Sequence, residues 1–259
     1  MPALPSAMRR IKLLLEYSGT RYHGWQLQPN AVTIQGTLET CLARLTNGPV
    51  RLHAAGRTDA GVHALGQVAH FDTASTMALT ALVRGANSLL PDDIVVRQAE
   101  DVAADFHARY AARRKTYAYV VHNHSVPSAL RAPYAWHVPQ PLDLSAMRAA
   151  ARVLLGRHDF SAFRAASSSA RSPWRCLFHL RITRHAERLV FVLCADGFLR
   201  YMARTIVGTL VAIGRGQIAA DAMTAILRSG QRQHAGPTAP AHGLFLVRVG
   251  YGADGSVPG

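Results

Sequence analysis

Apolar and polar residues alternate from Ile11 to Tyr17, the period of a half-buried strand, and Ser18-Gly19-Thr20 closes that run with a turn signal. The period then changes. Ile34, Leu38, Cys41, Leu42 and Leu45 recur at helical spacing, and Asn47-Gly48-Pro49 stops the helix they predict. Residues 50–55 read as extended, and 67–71 alternate as a second strand of that pair. Leu79, Leu82, Val83, Ala86 and Leu89 predict a helix ending at Pro91-Asp92-Asp93, and 94–96 a last strand. The order is strand, helix, strand, strand, helix, strand.

The second half repeats it. Residues 116–121 read as a strand and 145–155 as a helix stopped by Gly156; 176–183 and 189–194 form a strand pair. A helix over 202–213, a short one near 221–227 and a strand over 244–249 complete the order. This is the split β-α-β arrangement of ferredoxin-like or RRM-like domains, twice over. It predicts an α+β chain with mainly antiparallel sheets: a flexible leader 1–9, an N-terminal domain 10–108, a C-terminal domain 109–250 and a tail 251–259. Two such sheets side by side predict a central cleft suited to an extended ligand. The halves share no visible sequence similarity, so the duplication rests on periodicity, and the order alone names no function.

Composition narrows the partner. An apolar share of 49% with 17% charged residues fits a folded soluble protein, but a net charge of +14 is unusual. It points to a polyanion, nucleic acid before an anionic membrane surface. All the cations but Lys12 and Lys115 are arginine, the side chain suited to bidentate phosphate contacts and to stacking on bases. A biased genome also enriches arginine, yet it leaves the scarcity of acids unexplained. No apolar run approaches the ~20 residues of a membrane helix; the best, 206–213, is far shorter. The first ten residues lack the apolar core of a signal peptide. Cys41, Cys176 and Cys194 are odd in number, widely spaced and in apolar surroundings, which reads as reduced cysteine in a cytoplasmic protein.

The stretch richest in chemistry is Gly56-Arg57-Thr58-Asp59-Ala60-Gly61-Val62-His63. It lies between two extended segments, where a loop holds side chains out from a rigid sheet. Arg57 and Asp59 are two apart, so an extended backbone points both to one side. A guanidinium there favours the ionised carboxylate. Such a carboxylate serves as nucleophile, as general base or as metal ligand; equally, an Asp in a turn bonds its own backbone within a structural ion pair.

That loop resembles the catalytic loop of the TruA family of tRNA pseudouridine synthases, and the resemblance spans nearly the whole chain. Glu16-Tyr17-Ser18-Gly19 and Tyr22-His23-Gly24-Trp25-Gln26 are similar to the family's N-terminal strand and turn. Asp105-Phe106-His107-Ala108-Arg109-Tyr110, Arg114-Lys115-Thr116-Tyr117-Ala118-Tyr119 and Asp159-Phe160-Ser161-Ala162-Phe163-Arg164 are similar to its central segments. The run 202–208 and Gly243-Leu244-Phe245-Leu246 follow in family order. The resemblance implies that Asp59 is catalytic and that Arg57 positions it. It implies that Tyr117 stacks on the extruded base, that Arg204 pairs with the catalytic carboxylate and that Leu244 lines the uracil pocket. Thr205 stands where Asn often follows that arginine, and Arg200-Tyr201 where the family pattern has histidines, departures that bear on RNA contacts more than on chemistry.

The implied reaction isomerises uridine to pseudouridine in the anticodon arm of tRNAs, at positions 38, 39 and 40, in a homodimer with no membrane partner. It breaks the C1′–N1 bond, turns the uracil and rejoins it through C5, and needs no cofactor and no metal. The target base must leave its stack, at a cost of a few kcal/mol. An aromatic ring such as Tyr117 replaces part of that stacking, about 1–3 kcal/mol per base. Arginine-rich grip on phosphates and recognition by stem shape suit a large RNA.

Two rivals are weaker. A metal-dependent nuclease using Asp59, His63 and His70 lacks any close ligand cluster in the sequence. A non-catalytic RNA-binding pair of RRM-like modules lacks their aromatic RNP1 run. Gly214-Arg215-Gly216-Gln217-Ile218-Ala219 matches a loose dinucleotide fingerprint but follows a predicted helix where a strand is required. His122-Asn123-His124 has metal-ligand residue types and reads as solvated loop.

Overall fold

The computed structural model describes residues 8–166 and 171–252. Residues 1–7 of the leader and 253–259 of the tail fall outside them. The chain divides into two compact units, Met1–Ala112 with Leu246–Gly259, and Arg113–Phe245.

The first unit opens with β1 (Arg9–Tyr17), α1 (Ile34–Thr46), β2 (His53–Ala54) and β3 (His63–Thr73). It continues with α2 (Leu79–Leu89) and β4 (Ile94–Val102). β3 and β4 both pair antiparallel with β1, and β2 pairs antiparallel with β3. The strand order β4-β1-β3-β2 that results is the split β-α-β sheet predicted from periodicity. In β1, Ile11, Leu13, Leu15 and Tyr17 are all buried, as the alternation requires. The register against β3 shifts between Leu15 and Tyr17, a bulge that sets Tyr17 opposite Ala64. Bulges re-aim a side chain, and this one serves the site. Thr33 caps α1 by accepting from Gly36 N at 3.2 Å, and Asn47 ends it in the left-handed region at φ 52°. α2 buries Leu82 and Ala86 only, so Leu79, Val83 and Leu89 of the predicted stripe stay outside the core. Asn87 adds a polar contact. Its side-chain amide takes both backbone groups of Val96, at 2.9 and 2.8 Å, and so fixes α2 to β4 by a polar contact.

The second unit runs β5 (Arg114–His122), β6 (Trp136–His137), α3 (Leu144–Val153), β7 (Gly156–Asp159), β8 (Trp174–His185) and β9 (Arg188–Ala195). α4 (Met202–Gly214) and α5 (Ala222–Ser229) follow. β10 (Leu244–Gly250) begins here, and its residues from Leu246 belong to the first unit. β5-β9-β8-β7 form an antiparallel sheet, with β6 parallel beside β5. β6 and β7 were not foreseen: two and four residues are too short to show a period. α4 is buried along nearly its full length. Its length of 13 residues and that of every other described helix fall short of a membrane span. Cys41 and Cys194 are buried, Cys176 is half-buried, and all three are free thiols.

Candidate active site

The predicted motif, 56–63, falls on the loop 55–62 that joins β2 to β3 and on the first residue of β3, and that loop is held from two sides within the first unit. Below it, the Tyr17 hydroxyl lies 2.8 Å from the Thr58 hydroxyl, with both residues buried. Gln67 Nε2 donates to the Tyr17 hydroxyl at 3.3 Å and to the Gly56 carbonyl at 2.8 Å. A buried amide and a buried phenol are costly unless bonded. Here the loop's own polar atoms are their partners, so core burial and loop shape enforce each other. Burial pushes the Tyr17 phenol up to about 12, which keeps it protonated.

From the other side the turn 18–25 closes on the loop. Trp25 N donates to the Thr58 carbonyl at 3.0 Å, and Gly61 N to the Tyr22 carbonyl at 3.4 Å. Gly19 N donates to His63 Nδ1 at 3.1 Å. Gly24 takes a φ of 90°, and a Cβ there would stand 2.7 Å from the Thr58 carbonyl oxygen and 3.0 Å from the Asp59 carbonyl carbon. A Cβ at Gly19 would stand 2.0 Å from the Val62 oxygen. The sequence blocks 16–26 and 56–63, distant along the chain, are therefore one packed body. Glycine is needed where backbone meets backbone. The loop closes with Val62 N donating to the Asp59 carbonyl at 3.1 Å. Thr58 is buried, Asp59 half-buried, and Arg57 and Ala60 are exposed. The Asp59 carboxylate thus rides on a backbone held by Tyr17, Gly19, Tyr22, Gly24, Trp25 and Gln67.

Tyr117, Arg204 and Leu244 lie in the second unit. Tyr117, on β5, is largely buried, its ring edge-on to Phe198 at 4.9 Å. Leu244 is buried at the start of β10. Arg204 stands on the first turn of α4. Its Nε donates to the Ala239 carbonyl at 2.7 Å, and Ala239 N donates back to the Arg204 carbonyl at 3.1 Å. Tyr201, at the cap of α4 with φ 67°, lies between two cations: the Arg204 and Arg200 guanidinium carbons are 4.9 and 5.0 Å from its ring centroid. A Cβ at Gly208 would stand 1.8 Å from the Pro237 oxygen, so glycine there lets the segment carrying Ala239 close on α4. Thr205, the departure from the family pattern, is buried with its hydroxyl 3.3 Å from that of Thr238.

The nuclease grouping is not assembled. His63 Nδ1 is engaged with Gly19 N, and His70 Nδ1 accepts from Ala108 N at 3.1 Å; both are buried. The residues that sequence reasoning left without a role are Tyr17 and Gln67. The signal was present: each is a polar side chain at a buried position of an otherwise apolar strand face.

Comparisons with known proteins identify the family. The family model for tRNA pseudouridine synthases matches residues 14–111 and 150–252. The tRNA pseudouridine synthase A of Acetivibrio thermocellus is 48% identical over 94% of this chain and all of its own length. That of Syntrophotalea carbinolica is 47% identical over 97% and 100%, and that of Aliivibrio fischeri 42% over 96% and 95%. The chain belongs to the tRNA pseudouridine synthase family.

Proposed function

We propose that this enzyme isomerises uridine to pseudouridine in the anticodon arm of tRNAs, at positions 38, 39 and 40, with Asp59 as the catalytic carboxylate. The observation that carries the reading is the loop that holds Asp59: buried Tyr17 and Gln67 on one side and glycine-dependent backbone contacts on the other fix it before any substrate arrives. Such preorganisation is what a positioned nucleophile or base requires.

The reaction breaks C1′–N1, forms C1′–C5, returns a proton to N1 and releases the C5 proton, so its atoms balance without a redox partner. An ionised carboxylate serves attack at C1′, addition to the uracil ring, or removal of the C2′ proton. In this reading the exposed Arg57 positions Asp59, Arg204 supplies the cation for the carboxylate, and Tyr117 stacks on the base lifted from the arm. Leu244 gives the uracil an apolar wall. The net charge of +14 supports a phosphate-rich partner held with little base reading. Family pattern supports a homodimer working in the cytoplasm, and no comparison favours a non-catalytic RNA-binding protein.

The test is pseudouridine mapping on a tRNA carrying uridines both at 38–40 and elsewhere, incubated with the purified protein. Modification confined to 38–40 agrees with the reading. Modification outside the arm, or none, contradicts it. Light scattering that returned a monomer would remove the dimer.

A further inference from the structure

His122 is no loop residue. It ends β5 and is buried, only 3% exposed, whereas His124 two residues on is exposed. The two-residue turn between β8 and β9 brings Glu187 to both rings. Asn123 N donates to the Glu187 carbonyl at 2.7 Å, which ties that turn to the end of β5. His122 Nδ1 then lies 3.9 Å from one carboxylate oxygen, and His124 Nε2 lies 3.6 Å from the other. One oxygen or nitrogen from each of the three residues lies within 4.8 Å of the others.

The rings face this point with the nitrogens a metal would need. The Val126 carbonyl lies 3.1 Å from His122 Nε2 and 3.2 Å from His124 Nδ1. For His122, with Arg131 Nη1 3.2 Å from Nδ1, Nε2–H donates to that carbonyl and the Nδ1 lone pair faces Glu187. His124 Nδ1 meets the Val126 N–H at 3.1 Å as well as the carbonyl, so a metal on Nε2 would select the tautomer in which Nδ1–H donates to the carbonyl. A backbone acceptor on the far nitrogen is the usual support of a metal-bound imidazole. Arg131 also enters, with Nη1 2.7 Å from Glu187 and 3.2 Å from His122 Nδ1. That guanidinium pairs with the carboxylate from the position a metal cation would take.

We propose that His122, His124 and Glu187 form a three-ligand site for a divalent transition-metal ion, with Arg131 as the competing cation. Two imidazoles and a carboxylate suit Zn²⁺. Ligands about 2.1 Å from a tetrahedral ion stand about 3.4 Å apart, so ligand atoms now within 4.8 Å of one another need to close by up to about 1.4 Å. Arg131, half-exposed, swings out to solvent as they do. The bound ion clips the β8–β9 turn to the end of β5, a structural role separate from the isomerisation.

The experiment is calorimetric titration of tag-free, chelator-treated full-length protein with Zn²⁺, using wild type, His124→Ala and Arg131→Ala. Wild type should take up one ion. His124→Ala, at an exposed position, should fold normally and bind about 100-fold more weakly, at the upper end of what even an outer-shell change costs a metal site. Arg131→Ala should bind about tenfold more tightly, since one charge competitor is gone. No saturable one-to-one binding by wild type overturns the site. So does equal affinity in wild type and His124→Ala, which would place the ion elsewhere, for instance among His53, His70 and His107. Equal affinity in wild type and Arg131→Ala refutes the competition.

Discussion

The Tyr17 hydroxyl stands 2.8 Å from the Thr58 hydroxyl, a buried bond between the last core position of β1 and the residue before Asp59. Through it the hydrophobic core sets the height of the loop that holds Asp59. The bulge in β3 makes this possible, because its extra residue shifts the register between Leu15 and Tyr17.

Tyr17→Phe keeps the ring and its packing but leaves the Thr58 hydroxyl and the Gln67 amide short of a partner. Loss of one member of a buried pair costs about 1–3 kcal/mol. The variant should lose that much stability in urea denaturation and lower kcat with KM little changed. Wild-type stability and kcat together would show that the bond does not set the loop.

Arg204→Lys retains the charge and loses the planar fork, including the Nε bond to the Ala239 carbonyl. If Arg204 serves the carboxylate during turnover, kcat should fall by about tenfold or more, while tRNA affinity in a filter-binding assay should hold within about twofold. A loss confined to affinity would make Arg204 a phosphate contact.

Tyr117→Phe should react nearly as wild type, since the face that stacks and the edge contact with Phe198 both survive. Tyr117→Leu should lose about 1–3 kcal/mol of base stacking, read as a drop in single-turnover rate at saturating tRNA. Equal rates for Phe and Leu would remove the stacking role.

Stability should depend on His70. Burial, then His107, Arg10 and His53, lower its imidazole to about 4, against the opposing pull of Asp72. In the unfolded chain it titrates near about 6.5. Between those values the unfolded chain holds a proton that the native one refuses, so stability is full above the window and falls as pH drops through it. Burial lowers His107 as well, adding to the same trend. The urea midpoint of wild type should therefore fall between about pH 7 and about pH 5 more steeply than that of His70→Gln. Parallel slopes would contradict this.

Much of the architecture was legible in the sequence because period and burial coincide. β1 shows it, with Ile11, Leu13 and Leu15 buried in strict alternation, and so does α1, whose Thr33 and Asn47 caps sit where the pattern starts and stops. β7 escaped notice because four residues carry no period, and the bonds of Asn87 to Val96 that dock α2 on β4 leave no apolar signal. The loop that carries Asp59 was legible from its motif. The support beneath it was not, since the bonds of Tyr17 to Thr58 and of Gln67 to Gly56 cross 41 and 11 positions of chain. The burial of His122 was hidden for the same reason: the turn that covers it lies 65 residues away.

The most direct test of Asp59 is tritium release from C5-labelled uridine in total tRNA by wild type and by Asp59→Asn. The substitution is nearly isosteric and falls on a loop whose backbone is held by Tyr17, Gln67, Gly19, Gly24 and Trp25, so folding and RNA binding should persist. Wild type should release tritium in step with pseudouridine formation, and Asp59→Asn should release essentially none while still binding tRNA. Release by Asp59→Asn at a substantial fraction of the wild-type rate would show that another group performs the chemistry.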